Sequence, residues 1–352
     1  MEVISHTDSQ KWDEVVKSFD DYDIYYLNGY TDGFKLHGDG EPCLFYYNSR
    51  SLRAICVVML RDISNDLSFK GLIPAETYYD AITPYGYGGF IFQGTISDEN
   101  LDEFWTDYNQ ELSKRNIISV FYRFHPILKN AHQLDRYINV VDLGKTINID
   151  LTNREDIWDN FTGKNRTSIR KAIKNGIEIK HGDGITLLSK FREIYDSTMD
   201  HDHATSYYYF APEFYNSIDS KLKGNYQLFY ATYNGEIISI AIMLYANKQM
   251  HYHLSGSIYE YRSISPSNLL LFEAACWGAE HGFQTFHLGG GVGSGEDPLF
   301  KFKQAFNKKS TNQFSIGKDI VDKQSYDYLV NIRVKNSDSF DPNNQFFPLY
   351  RS

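Results

Sequence analysis

The densest chemistry in the chain lies in one block, His287-Leu-Gly-Gly-Gly-Val-Gly-Ser-Gly-Glu-Asp-Pro-Leu-Phe-Lys-Phe-Lys303. Five glycines fall within the seven positions 289–295. Glycine lets a backbone approach a ligand closely and turn its N–H groups outward, so Gly289, Gly290 and Gly291 are candidate ligand contacts. The loop should feed a helix beginning near Asp297-Pro298, whose N-terminus favours an anion. Lys301, Lys303, Lys308 and Lys309 then place four cations in nine residues with no acid among them. Asp297 reads either as a proton acceptor or as the cap of that helix. The plainer alternative is a surface loop followed by a solvated basic helix. A dinucleotide fingerprint is excluded, because no GxGxxG sits in an early strand–helix unit. A P-loop is excluded because GK[ST] is missing.

Three further stretches carry candidate binding groups. Residues 161–180 hold six Lys+Arg against one acid. Within them Arg166 and Arg170 stand off the apolar stripe, suiting phosphate, although most charge runs are solvated faces. The stretch Thr198–Phe210 offers His203, Tyr207 and Tyr208, and Tyr252 lies on a later strand. These suit an aromatic wall that stacks on a sugar or peptide, and core packing explains each tyrosine equally well. His201 with His203, and His251 with His253, lack a partner at zinc-type spacing, so no metal is expected. The fourth stretch is Thr83-Pro-Tyr-Gly-Tyr-Gly-Gly-Phe90, a rigid aromatic turn.

The elements that position these groups alternate strand and helix, which favours α/β layers. Apolar Ala54–Leu60 reads as a buried strand and Asp98–Arg115 as a helix capped by Ser97. Asp156–Asn175 reads as one helix and Leu187–Thr198 as another. Tyr226–Tyr233 and Ile237–Tyr245 flank Asn234-Gly235, the strongest hairpin signal. Pro266–His281 is a helix with proline in its first turn, and Phe283–Leu288 a strand.

Composition sets the outer bounds. A chain of 352 residues predicts two units at roughly 150 residues each. Hydrophobic content of 42% and charged content of 23% exclude disorder and a disulfide scaffold. The three cysteines, without CxxC spacing, fit reduced thiols of a cytoplasmic protein. No apolar run approaches the ~20 residues needed to span a bilayer, so at most peripheral membrane contact is expected. The net charge of −10 is uneven: residues 1–150 carry 13 Lys+Arg and 23 Asp+Glu, the remainder 22 of each. An acidic first part argues against broad nucleic-acid binding, and no DNA partner is expected. Aromatic content of 16% is unusually high.

In order and spacing, several motifs together resemble the Fem-type acyl/aminoacyl transferases of the GNAT superfamily. They are YGYGG at 85–89, RFHPIL at 123–128, the helix with Trp158, Phe161, Arg166 and Arg170, the stretch 198–210, and LGGG…DPLFKFK at 288–303. The resemblance implies tandem GNAT-like lobes, each a mixed, mostly antiparallel sheet flanked by helices. The lobes would be residues 1–147, with the tail 318–352 returning to them, and 148–317. It implies that an amine of a nucleotide- or lipid-linked muropeptide or amino sugar attacks an activated acyl group directly. Acyl-CoA or aminoacyl-tRNA would be the co-substrate, the latter through its acceptor stem, with no tightly bound cofactor. Lys303 and Asp297 would serve catalysis, and Gly289–Gly291 with Lys301 the donor. Arg166, Arg170, His203, Tyr207, Tyr208 and Tyr252 would bind acceptor or phosphate. Tyr261-Arg-Ser-Ile-Ser-Pro-Ser267 lacks the glycines of an ordinary acetyl-CoA turn. A non-catalytic carbohydrate- or peptide-binding protein on the same scaffold is the alternative.

Overall fold

In the computed structural model, which describes residues 1–310 and 312–352, strands and helices alternate along the chain. The first stretch runs β1 (Glu2–Ser5), α1 (Ser9–Lys17), α2 (Asn28–His37), β2 (Glu41–Asn48), β3 (Leu52–Asp62), β4 (Tyr79–Ile82) and β5 (Phe90–Gly94). Then come α3 (Asp98–Lys114), β6 (Ile117–Arg123), β7 (Asn139–Asp150), α4 (Arg154–Asn160), α5 (Gly163–Lys174), β8 (Glu178–Gly182), α6 (Ile185–His201) and α7 (Pro212–Lys221). The chain continues through β9 (Tyr226–Tyr233), β10 (Glu236–Ala246), β11 (Gln249–Ser257), α8 (Pro266–Glu280), β12 (Thr285–Gly289), α9 (Pro298–Gln304), β13 (Asn312–Ile320) and α10 (Lys323–Asn336). Contacts divide it into two compact units, Met1–Leu143 with Phe314–Ser352, and Gly144–Gln313.

The first unit orders its strands β1-β2-β3-β4-β6-β13, with β5 added on β3. The second orders them β7-β12-β11-β10-β9-β8. Among the described pairings within each unit, one is parallel, β4 with β6 and β11 with β12, and the rest are antiparallel. Each unit is therefore the mixed, mostly antiparallel layer with flanking helices that the resemblance implied.

Local sequence explains the elements. Ala54–Met59 of β3 are all at most 1% exposed, so the strand is covered on both faces, which is why it reads as an unbroken apolar run. Ser97 caps α3 by accepting from the Asn100 N–H. Asn234 and Gly235 both take positive φ, at 50° and 85°, as a tight hairpin between β9 and β10 demands. The aromatic surplus is largely core. In the first unit Phe90 touches Phe104, Tyr108 and Tyr122 at 5.2–5.5 Å between ring centroids. The glycines of the 85–89 turn serve the same packing: Gly86 and Gly89 sit at φ +88° and +89°, where a Cβ would meet the Tyr25 and Phe124 rings.

One expected helix is two. Residues 156–175 break after Asn160, where Phe161 turns extended and inserts into the core at 0% exposure. Thr162 then caps α5, its Oγ1 accepting from the Asn165 N–H at 3.2 Å. The Thr-Gly pair at 162–163 is the stop and restart signal that an amphipathic stripe running across it conceals.

Asp319 on β13 gives the first unit a measurable pH response. Its side chain is 7% exposed, and Oδ2 has no hydrogen-bond partner among the described residues. Burial pushes its carboxyl up to about 7. The folded state then holds a proton that the unfolded state releases near pH 4, so stability falls as pH rises from about 4 to about 7. The full loss is on the order of 4 kcal/mol. Asp319→Asn is expected to flatten that slope and raise stability at pH 8. Denaturant midpoints measured across pH 4–8 check it, and parallel slopes in both proteins would refute the assignment.

Candidate functional site

The glycine-rich block of the second unit folds as strand, loop and short helix. β12 ends at Gly289, whose φ of +77° turns the chain out of the sheet. Beyond it the loop is tight rather than loose. A Cβ on Gly290 would lie 2.9 Å from the Lys145 carbonyl oxygen, and one on Gly291 would collide with Asp297 Oδ1 and the Gly295 carbonyl. Asp297 holds this loop. Its Oδ1 accepts from the Phe300 N–H at 2.8 Å as the cap of α9, and Oδ2 accepts from the Val292 N–H at 3.3 Å. Of the two roles that the sequence leaves to Asp297, this geometry is that of the cap.

Lys303 is the buried cation of the block. It lies on α9 at 9% exposure, and its Nζ donates to the Gly290 carbonyl at 2.7 Å. Its other two ammonium protons have no partner among the described residues. Burial lowers this lysine from its ordinary 10.5 to about 8, partly opposed by the Asp297 charge. A buried cation with unused protons, held by a loop of glycines, can stabilise negative charge that develops beside it. Lys301, on the opposite side of the helix, is exposed.

The basic stretch at 161–180 divides between structure and surface. Arg166 Nη1 donates to the carbonyls of Phe161 at 3.1 Å and Trp158 at 3.3 Å, satisfying the open C-terminus of α4. Arg166 is half-buried in this position. Arg170 is exposed, with its guanidinium 5.2 Å from the Trp158 ring centroid. Lys171 Nζ donates to the Ser263 carbonyl at 2.8 Å. Asn165, 1% exposed, accepts from Asn268 Nδ2 at 2.8 Å and ties α5 to the first turn of α8.

The aromatic candidates lie on other elements. Tyr207 and Tyr208, 37% and 38% exposed, meet edge to face at 5.5 Å on a short turn after α6. His203 sits in the same connection with φ +52°, exposed. Tyr252 on β11 donates to Ser255 Oγ at 2.6 Å, and burial raises its hydroxyl pKa. The structure thus brings together Gly289–Gly291, Asp297 and Lys303, pairs Tyr207 with Tyr208, and sets Arg170 on Trp158.

Sequence reasoning misses two buried polar pairs. His287 Nε2 meets Thr146 Oγ1 at 2.8 Å, with the His251 ring 5.7 Å away. In the first unit His125 Nε2 meets Asp23 Oδ2 at 2.8 Å, both side chains fully buried. Their partners are 141 and 102 residues apart in the chain, so no local spacing announces them.

Comparison with known proteins bears on the fold. The acetyltransferase (GNAT) domain model matches residues 163–303, a stretch that opens at α5 and closes on Lys303. The chain is 25% identical over 223 residues to the UDP-N-acetylmuramoylpentapeptide-lysine N(6)-alanyltransferase of Weissella viridescens. That match spans 59% of this chain and 65% of the relative. Among solved structures, FemX superposes with a TM-score of 0.64 at 15% identity, covering 93% of this chain and 99% of FemX. The C-terminal domain of a putative lysylphosphatidylglycerol synthetase from Agrobacterium fabrum superposes at 0.55 and 14% identity, covering 89% and 92%. The resemblance to Fem-type GNAT proteins read from the sequence therefore holds in the fold and in the matched domain.

Proposed function

We infer that this chain, built on the Fem-type GNAT fold, is an acyltransferase that moves an acyl or aminoacyl group onto an amine of a cell-wall precursor. The observation that carries the reading is Lys303, a buried ammonium held at 2.7 Å by the Gly290 carbonyl at the end of the matched GNAT domain. The named alanyltransferase among its relatives supports the substrate class.

In this reading the acceptor amine attacks the acyl carbon of an ester or thioester. A tetrahedral oxyanion forms, then collapses as the C–O or C–S bond to the donor breaks. Lys303 offers its free N–H groups to that oxyanion or to the departing oxygen or sulfur. The proton lost by the amine is taken up by the departing oxygen or sulfur of the donor, while Asp297, each oxygen accepting one backbone N–H, holds the loop and keeps a lone pair on each oxygen. Arg170 and its lysine neighbours offer phosphate contacts to the donor, while Tyr207, Tyr208 and Tyr252 are the candidates for the acceptor. No helix among the described residues is long and apolar enough to cross a membrane.

The test is a mass shift. Purified protein is incubated with a UDP-linked muropentapeptide and either alanyl-tRNA or a set of acyl-CoAs, and the products are weighed. One acyl increment on the muropeptide is the expected result. Its loss on RNase treatment identifies the RNA donor, and its persistence the thioester. No increment with either donor, from folded protein, would overturn the reading.

A further inference from the structure

We propose that Trp158 and Arg170 form a stacking platform for the purine of an adenine nucleotide. The inference rests on the transfer reading only for the identity of the base, since coenzyme A and the 3′ end of a tRNA both carry adenosine.

The platform is built from two consecutive helices, α4 and α5. Trp158, near the end of α4, is half-buried, wedged edge-on against Phe272 of α8 at 5.2 Å and beside Phe161 at 6.1 Å. Phe161 belongs to the second unit's core and Phe272 packs against it, so the indole is held on two sides. Arg170 lies over that plane at 5.2 Å and is itself exposed. Arginine planes and indole faces are the two surfaces on which nucleobases stack irrespective of sequence.

The charges round the platform point the same way. Arg170, Lys164, Lys171 and Lys174 make no ion pair among the described residues, whereas the flanking Arg154 and Lys180 pair with Glu280 and Glu178. At 100° per residue these four side chains and Arg166 fall within one half of α5. A protein of net charge −10 thus leaves an unneutralised cationic arc directly beside a half-buried indole that Arg170 overlies. A purely apolar ligand would gain nothing from that arc, and a bare anion nothing from the indole. A nucleotide, with a flat base and a phosphate, uses both.

Calorimetric titration of the folded protein with adenosine 5′-monophosphate, and with ribose 5-phosphate as the baseless control, is the experiment. Native protein is expected to bind the nucleotide about tenfold or more tightly than the control. Arg170→Ala and Trp158→Leu should each weaken the nucleotide about ten- to a hundredfold, and Trp158→Phe less. Arg170→Ala changes an exposed side chain, so it carries the test even if Trp158→Leu perturbs the core. Coenzyme A and an RNA minihelix ending in CCA are then titrated to separate the two sources, the tighter binder being the donor class. Equal affinity for nucleotide and control, or native affinity in Arg170→Ala, would overturn the platform. Nucleotide binding lost in the variants without transfer in any assay would keep the platform and remove the transfer reading. Transfer with the donor KM unchanged in both variants would do the reverse.

Discussion

Replacing Lys303 by methionine is expected to lower kcat/KM by about a hundred- to a thousandfold while the protein stays folded. Methionine keeps the length and apolar stem of the side chain, so α9 can pack as before. What disappears is a charge that the fold holds at a cost. Lys303 is 9% exposed, and one backbone carbonyl is its hydrogen-bond partner. A structural lysine in such a place would more commonly be paired with a carboxylate, because an uncompensated buried charge is expensive. Here the nearby carboxylate of Asp297 is committed to two backbone N–H groups. The ammonium is left available to whatever enters beside the glycine loop. Near-native turnover of Lys303→Met would remove it from the mechanism.

The same residue fixes the sign of two pH effects. With its pKa near 8, Lys303 is mostly charged at pH 7 and loses its proton as pH passes 8. If the cation stabilises the transition state, kcat/KM should fall above pH 8, and Lys303→Arg should move that fall well above pH 9. Stability runs the opposite way. The unfolded lysine keeps its proton to about 10.5, so between 8 and 10.5 the folded state binds fewer protons and stability rises with pH. Lys303→Met should lack that rise. Below pH 8 it should also be no less stable than native, since removing the buried charge offsets up to about 3 kcal/mol of desolvation cost. Activity lost with stability kept is the pattern of a functional group, and loss of both would mark Lys303 as structural.

How much of this was legible in the sequence depends on how local each signal is. The hairpin at Asn234-Gly235, the buried run of β3 and the Ser97 cap are written within a few residues, and the structure shows each of them. The glycine loop with Lys303 is equally local. The split of α4 from α5 was also local, but the apolar stripe of Trp158, Phe161, Ile169 and Ile173 runs through the break and hides it. Ile173 is in fact 55% exposed, so the stripe was partly fortuitous. Arg166 carries a role that the sequence does not announce. A run of cations reads as a binding face, and nothing in composition says that one of them will be used five to eight residues upstream to close a helix end. Buried pairs such as Asp23 with His125 depend on which strands become neighbours, which is a property of topology and not of spacing.

The largest stability effect should come from a residue that no motif marks: Asp80→Ala is expected to destabilise the first unit by about 3–5 kcal/mol. Asp80 is 1% exposed and stands on β4, between Arg61 of β3 and Ser119 of β6 in the register. Arg61 Nε donates to it at 2.7 Å, and Arg351 Nη2 at 3.2 Å. Tyr350 donates to its other oxygen at 3.2 Å and meets Ser119 at 2.8 Å. Tyr350 is itself fully buried against Tyr326 of α10 and Phe69. One carboxylate therefore joins the sheet to Tyr350 and Arg351 and balances two guanidinium groups. Truncating it leaves Arg61 without its carboxylate and Arg351 with Asp66 at 2.9 Å as its remaining anion, the costly half of a broken buried pair. Asn in its place keeps the volume but turns an amide N–H₂ toward a guanidinium, so it should rescue little. For a unit of this size the loss corresponds to a fall in its melting temperature on the order of 10 °C. Calorimetry of the native protein, Asp80→Ala, Arg351→Ala and the double variant checks it. The double variant should lose far less than the two singles added together, because each single change already breaks the same network. A shift below about 2 °C for Asp80→Ala, or strictly additive losses, would show that the carboxylate does not hold these partners.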